Sequence, residues 1–318
     1  MPISDRIHEP EEKEPAGTSA ASSRDGMGGL IRMTKIMTLN LANYTDHSRW
    51  GRRLDAIAAI VTKHRPDVIA MQEVRFDPDR DSEKIAASTK RTYQNMGEQL
   101  LQSISVDAHY RGSAIVTQPA MFYDSMLSSD STKFRHYPQP ALGKYPREMW
   151  EGLSTISRLP ILETGARFLS AVGSQDRNRR ATQHVTVRAG DSLLHIFNCH
   201  FSYDSASFES NLAETIDYMR PFDDQFCLLV GDMNSTAASG EFEEIERLGF
   251  VDLWPRLHPG DDGFTDPSHA PDKRIDYVWA NSRIAENGIR GIELIATEPY
   301  APACYPSDHF GLIADVKL

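Results

Sequence analysis

The strongest constraint on this chain is a set of short apolar runs that each stop on a polar residue. Cys227-Leu-Leu-Val-Gly-Asp-Met-Asn-Ser235 is the clearest case, ending on a glycine, an acid and an amide. An apolar run this short, closed by a turn residue, reads as a buried strand. Its tip then presents Asp232 and Asn234 from a rigid support, where a cleft can hold polar groups without disturbing the core. Taken alone, an Asx-rich turn after a core strand explains the stretch as well. The pattern recurs, however, and the recurrence gives it weight. Residues 35–41 place Ile36, Thr38 and Asn40 on one strand face and Met37, Leu39 and Leu41 on the other. Residues 67–73 end on Glu73, and residues 192–200 end on His200.

Between these runs the periodicity changes. Leu54, Ile57, Ala58 and Val61 fall at i, i+3, i+4 and i+7, which predicts a helix over 50–64 with Arg52, Arg53 and Lys63 outward and Pro66 beyond its end. Phe208, Leu212 and Ile216 mark a second helix, and Phe242, Ile245 and Leu248 a short one closed by Gly249. Strand, helix, strand alternation indicates an α/β protein and, on spacing alone, parallel pairing. Further strands are expected over 150–158, 181–187 and 312–316. In Arg274-Ile-Asp-Tyr-Val-Trp279, Asp276 shares a face with Val278 against Ile275, Tyr277 and Trp279. A buried acid is costly unless paired, and His309 is an available partner. Residues 77–147 are weakly periodic apart from a helical pattern at Met96, Leu100, Leu101 and Ile104. Such a segment either overlies a site or is a surface excursion.

A length of 318 residues with 40% hydrophobic content allows one large layered domain or two average ones. The net charge of −11 argues against nucleic-acid binding by bulk electrostatics, which needs a basic face. Cys199, Cys227 and Cys304 are widely spaced, which suits reduced, packed thiols and a cytoplasmic location. No apolar run reaches membrane-spanning length. Residues 1–32, rich in Glu, Pro, Ser, Ala and Gly, are expected to be a disordered tail before a domain over 33–318. Oligomeric state is left open.

Collected, the strand ends offer Asn40, Glu73, His200, Asp232, Asn234, Asp308 and His309, with Asp276 inside its strand. Hard oxygen ligands without thiolates favour Mg²⁺, with Mn²⁺ able to substitute. Histidines beside carboxylates supply hydrogen-bond and proton donors near neutral pH. Together they suggest metal-assisted hydrolysis of a phosphoester. Arg177, Arg179 and Arg180 form a small basic cluster, either a solvated loop or an anion grip.

Six motifs stand in order: Thr38-Leu-Asn40, Gln72-Glu-Val74, Asn198-Cys-His200, Gly231-Asp-Met-Asn234, Arg274-Ile-Asp-Tyr277 and Ser307-Asp-His309. From about residue 35 to 318 the chain resembles the endonuclease/exonuclease/phosphatase (DNase I-like) superfamily. The resemblance implies a four-layered α/β sandwich, two mainly antiparallel sheets packed face to face and flanked by helices. It also implies roles. Glu73, Asn40 and Asp308 would hold the metal, Asp232 would orient the attacking water, and Asn234 would hold Asp232 and contact phosphate. His309, steadied by Asp276, would contact the phosphate, and His200 would protonate or stabilise the leaving oxygen. Glu151 stands where a glutamate backs that histidine in the DNase-like branch, and Arg180 is a further candidate for phosphate contact. The expected substrate is a small-molecule or lipid-derived phosphoester. A DNA or RNA substrate is the alternative, disfavoured by the acidic balance. Glu73, Asp232 and His309 are all present, which argues against a scaffold that has lost its chemistry.

Overall fold

The computed structural model describes residues 33–43, 50–76, 95–108, 110, 112–119, 150–173, 175, 176, 178, 180–236 and 240–318. The expected tail, most of 77–147, Arg177 and Arg179 lie outside the described residues. In chain order the elements are β1 (Met33–Asn40), α1 (Trp50–His64), β2 (Val68–Phe76), α2 (Met96–Ala108), β3 (Gly112–Pro119), β4 (Trp150–Ser157), β5 (Ile161–Phe168), β6 (Ala181–Ala189) and β7 (Ser192–His200). There follow α3 (Ser205–Met219), β8 (Phe226–Asp232), α4 (Glu243–Arg247), β9 (Val251–Asp252), α5 (Leu253–Leu257), β10 (Asp276–Ala280), α6 (Ser282–Asn287), β11 (Ile289–Ile295) and β12 (Gly311–Lys317).

The strands form two six-stranded sheets, ordered β11-β12-β1-β2-β4-β3 and β5-β6-β7-β8-β10-β9. Within them β1–β2 and β7–β8 are parallel, each joined through one helix, as the strand, helix, strand pattern predicts. The remaining ladders are antiparallel, so the parallel pairing suggested by spacing holds for these two units and not for the sheets as wholes.

Alternation along the strands builds three apolar layers. Ile36, Val68 and Leu312 of the first sheet meet Val185, Ile196, Val230 and Val278 of the second in the central core. Met37, Leu39, Ile69 and Met71 face the other way, against Ile57 and Val61 of α1 and Leu100 and Ile104 of α2. Phe197, Leu229, Tyr277 and Trp279 cover α3 through Phe208, Leu212 and Ile216. Each such large side chain, fully buried, contributes roughly 1.5–3 kcal/mol. This is the four-layered sandwich that the resemblance implies. All three cysteines are free, with Cys199 and Cys227 buried.

One expectation about α1 is corrected. Arg52 and Lys63 are exposed, but Arg53 is 2% exposed and turned inward. Its guanidinium donates to the carbonyls of Leu41, Ala42 (2.6 Å) and Pro306 (3.2 Å), so backbone acceptors in two loops offset the burial of its charge.

Candidate active site

The second sheet lines up the site by register. His200 lies opposite Asp232 across the parallel ladder, and Asp232 lies opposite Asp276 across the antiparallel one. Residues paired across a ladder point to the same face, so one row carries an imidazole and two carboxylates toward the other sheet. Gly231 makes this close pairing possible. Its φ is +134°, and a Cβ there would sit 2.1 Å from the carbonyl oxygen of Cys199. Asp232 accepts the backbone N–H of Asn234 (2.9 Å) and the amide of Asn40 (3.0 Å). Asn234, at φ +51°, donates its own amide to the carbonyl of Phe201 (3.0 Å).

The first sheet supplies Glu73 through a bulge. The β2–β4 register shifts between Met71 and Val74, and Glu73 adopts φ +52°. Without the extra residue, strict alternation would send Glu73 away from the site and Val74 toward it. With it, Val74 packs in the α1–α2 layer, while the Glu73 carboxylate takes Asn40 Nδ2 (3.3 Å), Asn43 Nδ2 (3.0 Å) and the Asn43 backbone N–H (3.0 Å). A left-handed non-glycine residue costs about 1–3 kcal/mol and persists only where its surroundings over-determine it. Asn40 thus spaces two carboxylates, Glu73 and Asp232, with one amide nitrogen, while its Oδ1 accepts the Ala42 N–H (2.9 Å).

The third segment arrives just before β12. Ser307 Oγ lies 2.6 Å from Asn40 O and 3.2 Å from Asp308 Oδ1, and receives the His309 N–H at 3.2 Å. His309 Nδ1 then meets Asp276 Oδ2 at 2.8 Å, the pairing expected for a buried acid. Its Nε2 lies 3.9 Å from Asp232 Oδ2 and 3.7 Å from Asp266 Oδ1. His200 Nε2 lies 3.4 Å from the same Asp232 oxygen.

These neighbours split the two histidines electrically. Burial opposes charge on His309, but Asp276 and Asp232 overrule it and hold its pKa well above 6.5, so it is an imidazolium at neutral pH. Burial, the Arg180 guanidinium and His309 push His200 well below 6.5, so it is neutral. Asp232 is raised by burial to about 7, against the opposing pull of His309. Among the described residues Asp276 Oδ1 has no hydrogen-bond partner, so the carboxylate's bond to His309 is its main compensation for burial.

Glu151 and Arg180 occupy one flank. Glu151 bonds Arg75 Nη2 at 3.0 Å, and no described contact joins it to His200. Burial and the nearby Glu73 raise its pKa to about 7. Arg180 Nε is tied to Asp176 Oδ2 at 2.8 Å, within electrostatic reach of His200 and Glu151. On the other flank Asp266, whose Oδ2 holds Lys273 at 2.8 Å, is a site neighbour that the sequence reading missed. It lies in a Gly, Asp and Pro segment without strand periodicity, so no local pattern marked it. Arg53 was missed for a different reason: its spacing falls on the polar side of α1.

Two groupings offer ligand atoms for a divalent cation. Atoms of Asp232, Asp276 and His309 lie within 4.8 Å of one another, yet the imidazolium charge and its bond to Asp276 make that trio a poor cation cage. Glu73 and Asp308, each linked to Asn40, are the second grouping: Glu73 accepts the Asn40 Nδ2, and Ser307 Oγ joins the Asn40 backbone oxygen to Asp308 Oδ1. The Asn40 Oδ1 is turned to the Ala42 N–H, so this grouping offers carboxylate oxygens of the hard type that suit divalent cations. Cys199 adds no thiolate, since it packs in the α3 layer.

A sequence profile of the Endonuclease/Exonuclease/phosphatase family matches residues 37–309. No curated protein matches the chain. Among solved structures, an endonuclease/exonuclease/phosphatase family protein from Leptotrichia buccalis is 19% identical with a TM-score of 0.63, covering 90% of this chain and 100% of its own. One from Bacteroides thetaiotaomicron is 14% identical with a TM-score of 0.64, covering 91% and 98%. Truncated TDP2 from Caenorhabditis elegans is 17% identical with a TM-score of 0.58, covering 90% and 98%. At these identities the likeness is one of fold.

Proposed function

Because this chain belongs to the endonuclease/exonuclease/phosphatase family of hydrolases, we propose that its site cleaves a phosphoester, preferably a phosphodiester, with Mg²⁺ as cofactor and Mn²⁺ able to substitute. The observation that carries this reading is the buried row His200, Asp232, Asp276 and His309. It places one carboxylate between a neutral and a cationic imidazole.

Glu73, Asn40 and Asp308 would hold the cation, which when bound neutralises phosphate charge. His309 Nε2, kept protonated by Asp276, donates to a phosphoryl oxygen and stabilises charge that grows in the transition state. Asp232 orients the attacking water and accepts its proton, helped by a pKa near 7. The side-chain amide of Asn40 and the backbone N–H of Asn234 fix the Asp232 carboxylate for that task. His200, neutral, stabilises the leaving oxygen by hydrogen bonding from its ring N–H rather than by carrying a full proton. Arg180, with Nε committed to Asp176, adds positive potential on the leaving-group side. Glu151, held by Arg75, supports that flank electrostatically.

The net charge of −11 favours a small soluble or lipid-derived substrate over a polyanion. No described helix is long and apolar enough to cross a membrane. The test is hydrolysis of a panel of phosphomonoesters, small and lipid-derived phosphodiesters and oligonucleotides in Mg²⁺ and in EDTA. Metal-dependent turnover of a small diester, lost in Asp232→Ala, supports the reading. Equal rates with and without chelator contradict it. Salt-sensitive cleavage confined to oligonucleotides would replace the substrate class while keeping the chemistry.

A further inference from the structure

Something must keep Glu73 in its left-handed bulge, because backbone in that region relaxes unless its surroundings fix it. Asn198, fully buried on β7 of the opposite sheet, reaches the bulge directly. Its Nδ2 lies 3.1 Å from Met71 O and 3.3 Å from Ser154 O. Met71 and Ser154 face each other as the last register pair before the β2–β4 ladder shifts. Its Oδ1 accepts Gln72 Nε2 at 2.7 Å, and Gln72 is the residue next to Glu73 in the bulge. Gln72 Nε2 also lies 3.1 Å from Thr38 Oγ1 on β1. One amide therefore touches both strands of the bulged ladder and the bulge's own side chain. A bulge interrupts its ladder, and buried carbonyls beside it still need donors.

We propose that Asn198 is a positioning residue of this site: its amide seats the carbonyls beside the bulge in β2 and so holds Glu73 turned toward Asn40 and Asn43. Two residues later the same strand presents His200 to Asp232, so β7 sets the spacing between the two halves of the site. Where it concerns metal binding, the inference rests on the function proposed above. General packing glue between sheets would be a weaker role, and the same layer supplies a control for it. Thr155 Oγ1 bonds Gln183 Oε1 at 2.7 Å, equally buried; Gln183 Oε1 also lies 3.5 Å from Asn198 Nδ2, so Thr155 belongs to the same polar layer but stands one contact further from the bulge.

The experiment compares wild type, Asn198→Ser, Asn198→Leu and Thr155→Val by Mn²⁺ titration calorimetry, steady-state kinetics and crystal structures of the metal-free proteins. Both Asn198 variants should weaken Mn²⁺ binding by ~10–100-fold, the range for removing an outer-shell partner. They should lower kcat more than they raise KM, and residue 73 should leave the left-handed region. Thr155→Val should match wild type in all three. Should neither Asn198 variant fold, Gln72→Met cuts the same contact from the bulge side and carries the same expectation. Wild-type Mn²⁺ affinity and an unmoved Glu73 in the variants would overturn the inference, as would equal losses in Thr155→Val. If wild type itself neither binds Mn²⁺ nor hydrolyses a phosphoester, the proposed function fails, and the conformation of residue 73 in the variants still decides the role of Asn198.

Discussion

Replacing Gly231 with alanine tests how the second sheet is aligned. At φ +134° an L residue is strained by about 1–3 kcal/mol. The added Cβ would also stand 2.1 Å from Cys199 O and 3.0 Å from Cys199 C and N. These are backbone atoms, so no rotamer change relieves the contact. The β7–β8 pair must open by about 1 Å, an overpacking cost of roughly 1–3 kcal/mol. Together they give about 4 kcal/mol of lost stability, or roughly 10 °C in Tm at about 2–4 °C per kcal/mol for a domain of this size. Gly190→Ala is the control. Gly190 has φ +66° in the β6–β7 turn with nothing within 4 Å of a built Cβ. It should lose only the left-handed penalty of about 1–2 kcal/mol. Thermal and urea unfolding of the two variants measures the difference. Because β7 and β8 carry His200 and Asp232, kcat of Gly231→Ala should also fall about 100-fold, the usual scale for a displacement of about 1 Å. Equal stability of the two variants, with activity intact in Gly231→Ala, would refute the reasoning.

Asp276→Asn removes the anion that keeps His309 charged. The alkaline limb of the pH–rate profile should move to lower pH and kcat should fall about 10²–10⁴-fold; an unmoved limb contradicts the assigned role. Arg53→Met leaves the carbonyls of Leu41, Ala42 and Pro306 without their shared donor. Chemical denaturation should show a loss of about 3 kcal/mol, with turnover reduced as the two loops separate. Burial and the adjacent His195 hold His184 at about 4. The unfolded chain takes up that proton near 6.5, so stability is complete above this value and declines as pH falls through 6.5 toward 4. The slope is at most about 1.4 kcal/mol per unit. Urea melts across that window check it, and His184→Leu should flatten the curve.

The sandwich was legible in part because period-two alternation in β1 and β10 assigns the two faces as the structure has them, Ile36 against Met37 and Val278 against Trp279, whereas β8 reads only as a strand buried on both sides. The same alternation fails at Glu73, whose bulge reverses the face, and no local residue preference announces a left-handed glutamate. Strand partners were legible only where a helix joins them. Edge strand β5 and the long-range ladders to β11 and β12 depend on contacts far apart in sequence. For Asp276 the residues alone say that a buried acid needs a partner and that His309 is available, and the resemblance implies their pairing. Asp266 and Arg53 were not legible, because each acts from a segment whose own pattern reads as surface.

The central claim is that Glu73, Asp232, His200 and His309, distant in sequence, work as one phosphoester site. Diffraction from a crystal soaked in Mn²⁺ and inorganic phosphate tests it most directly, using the anomalous signal of manganese. The account predicts a peak at Glu73 and a phosphate in contact with His309 Nε2. A manganese peak away from Glu73, or a phosphate bound elsewhere with this row unoccupied, would contradict it.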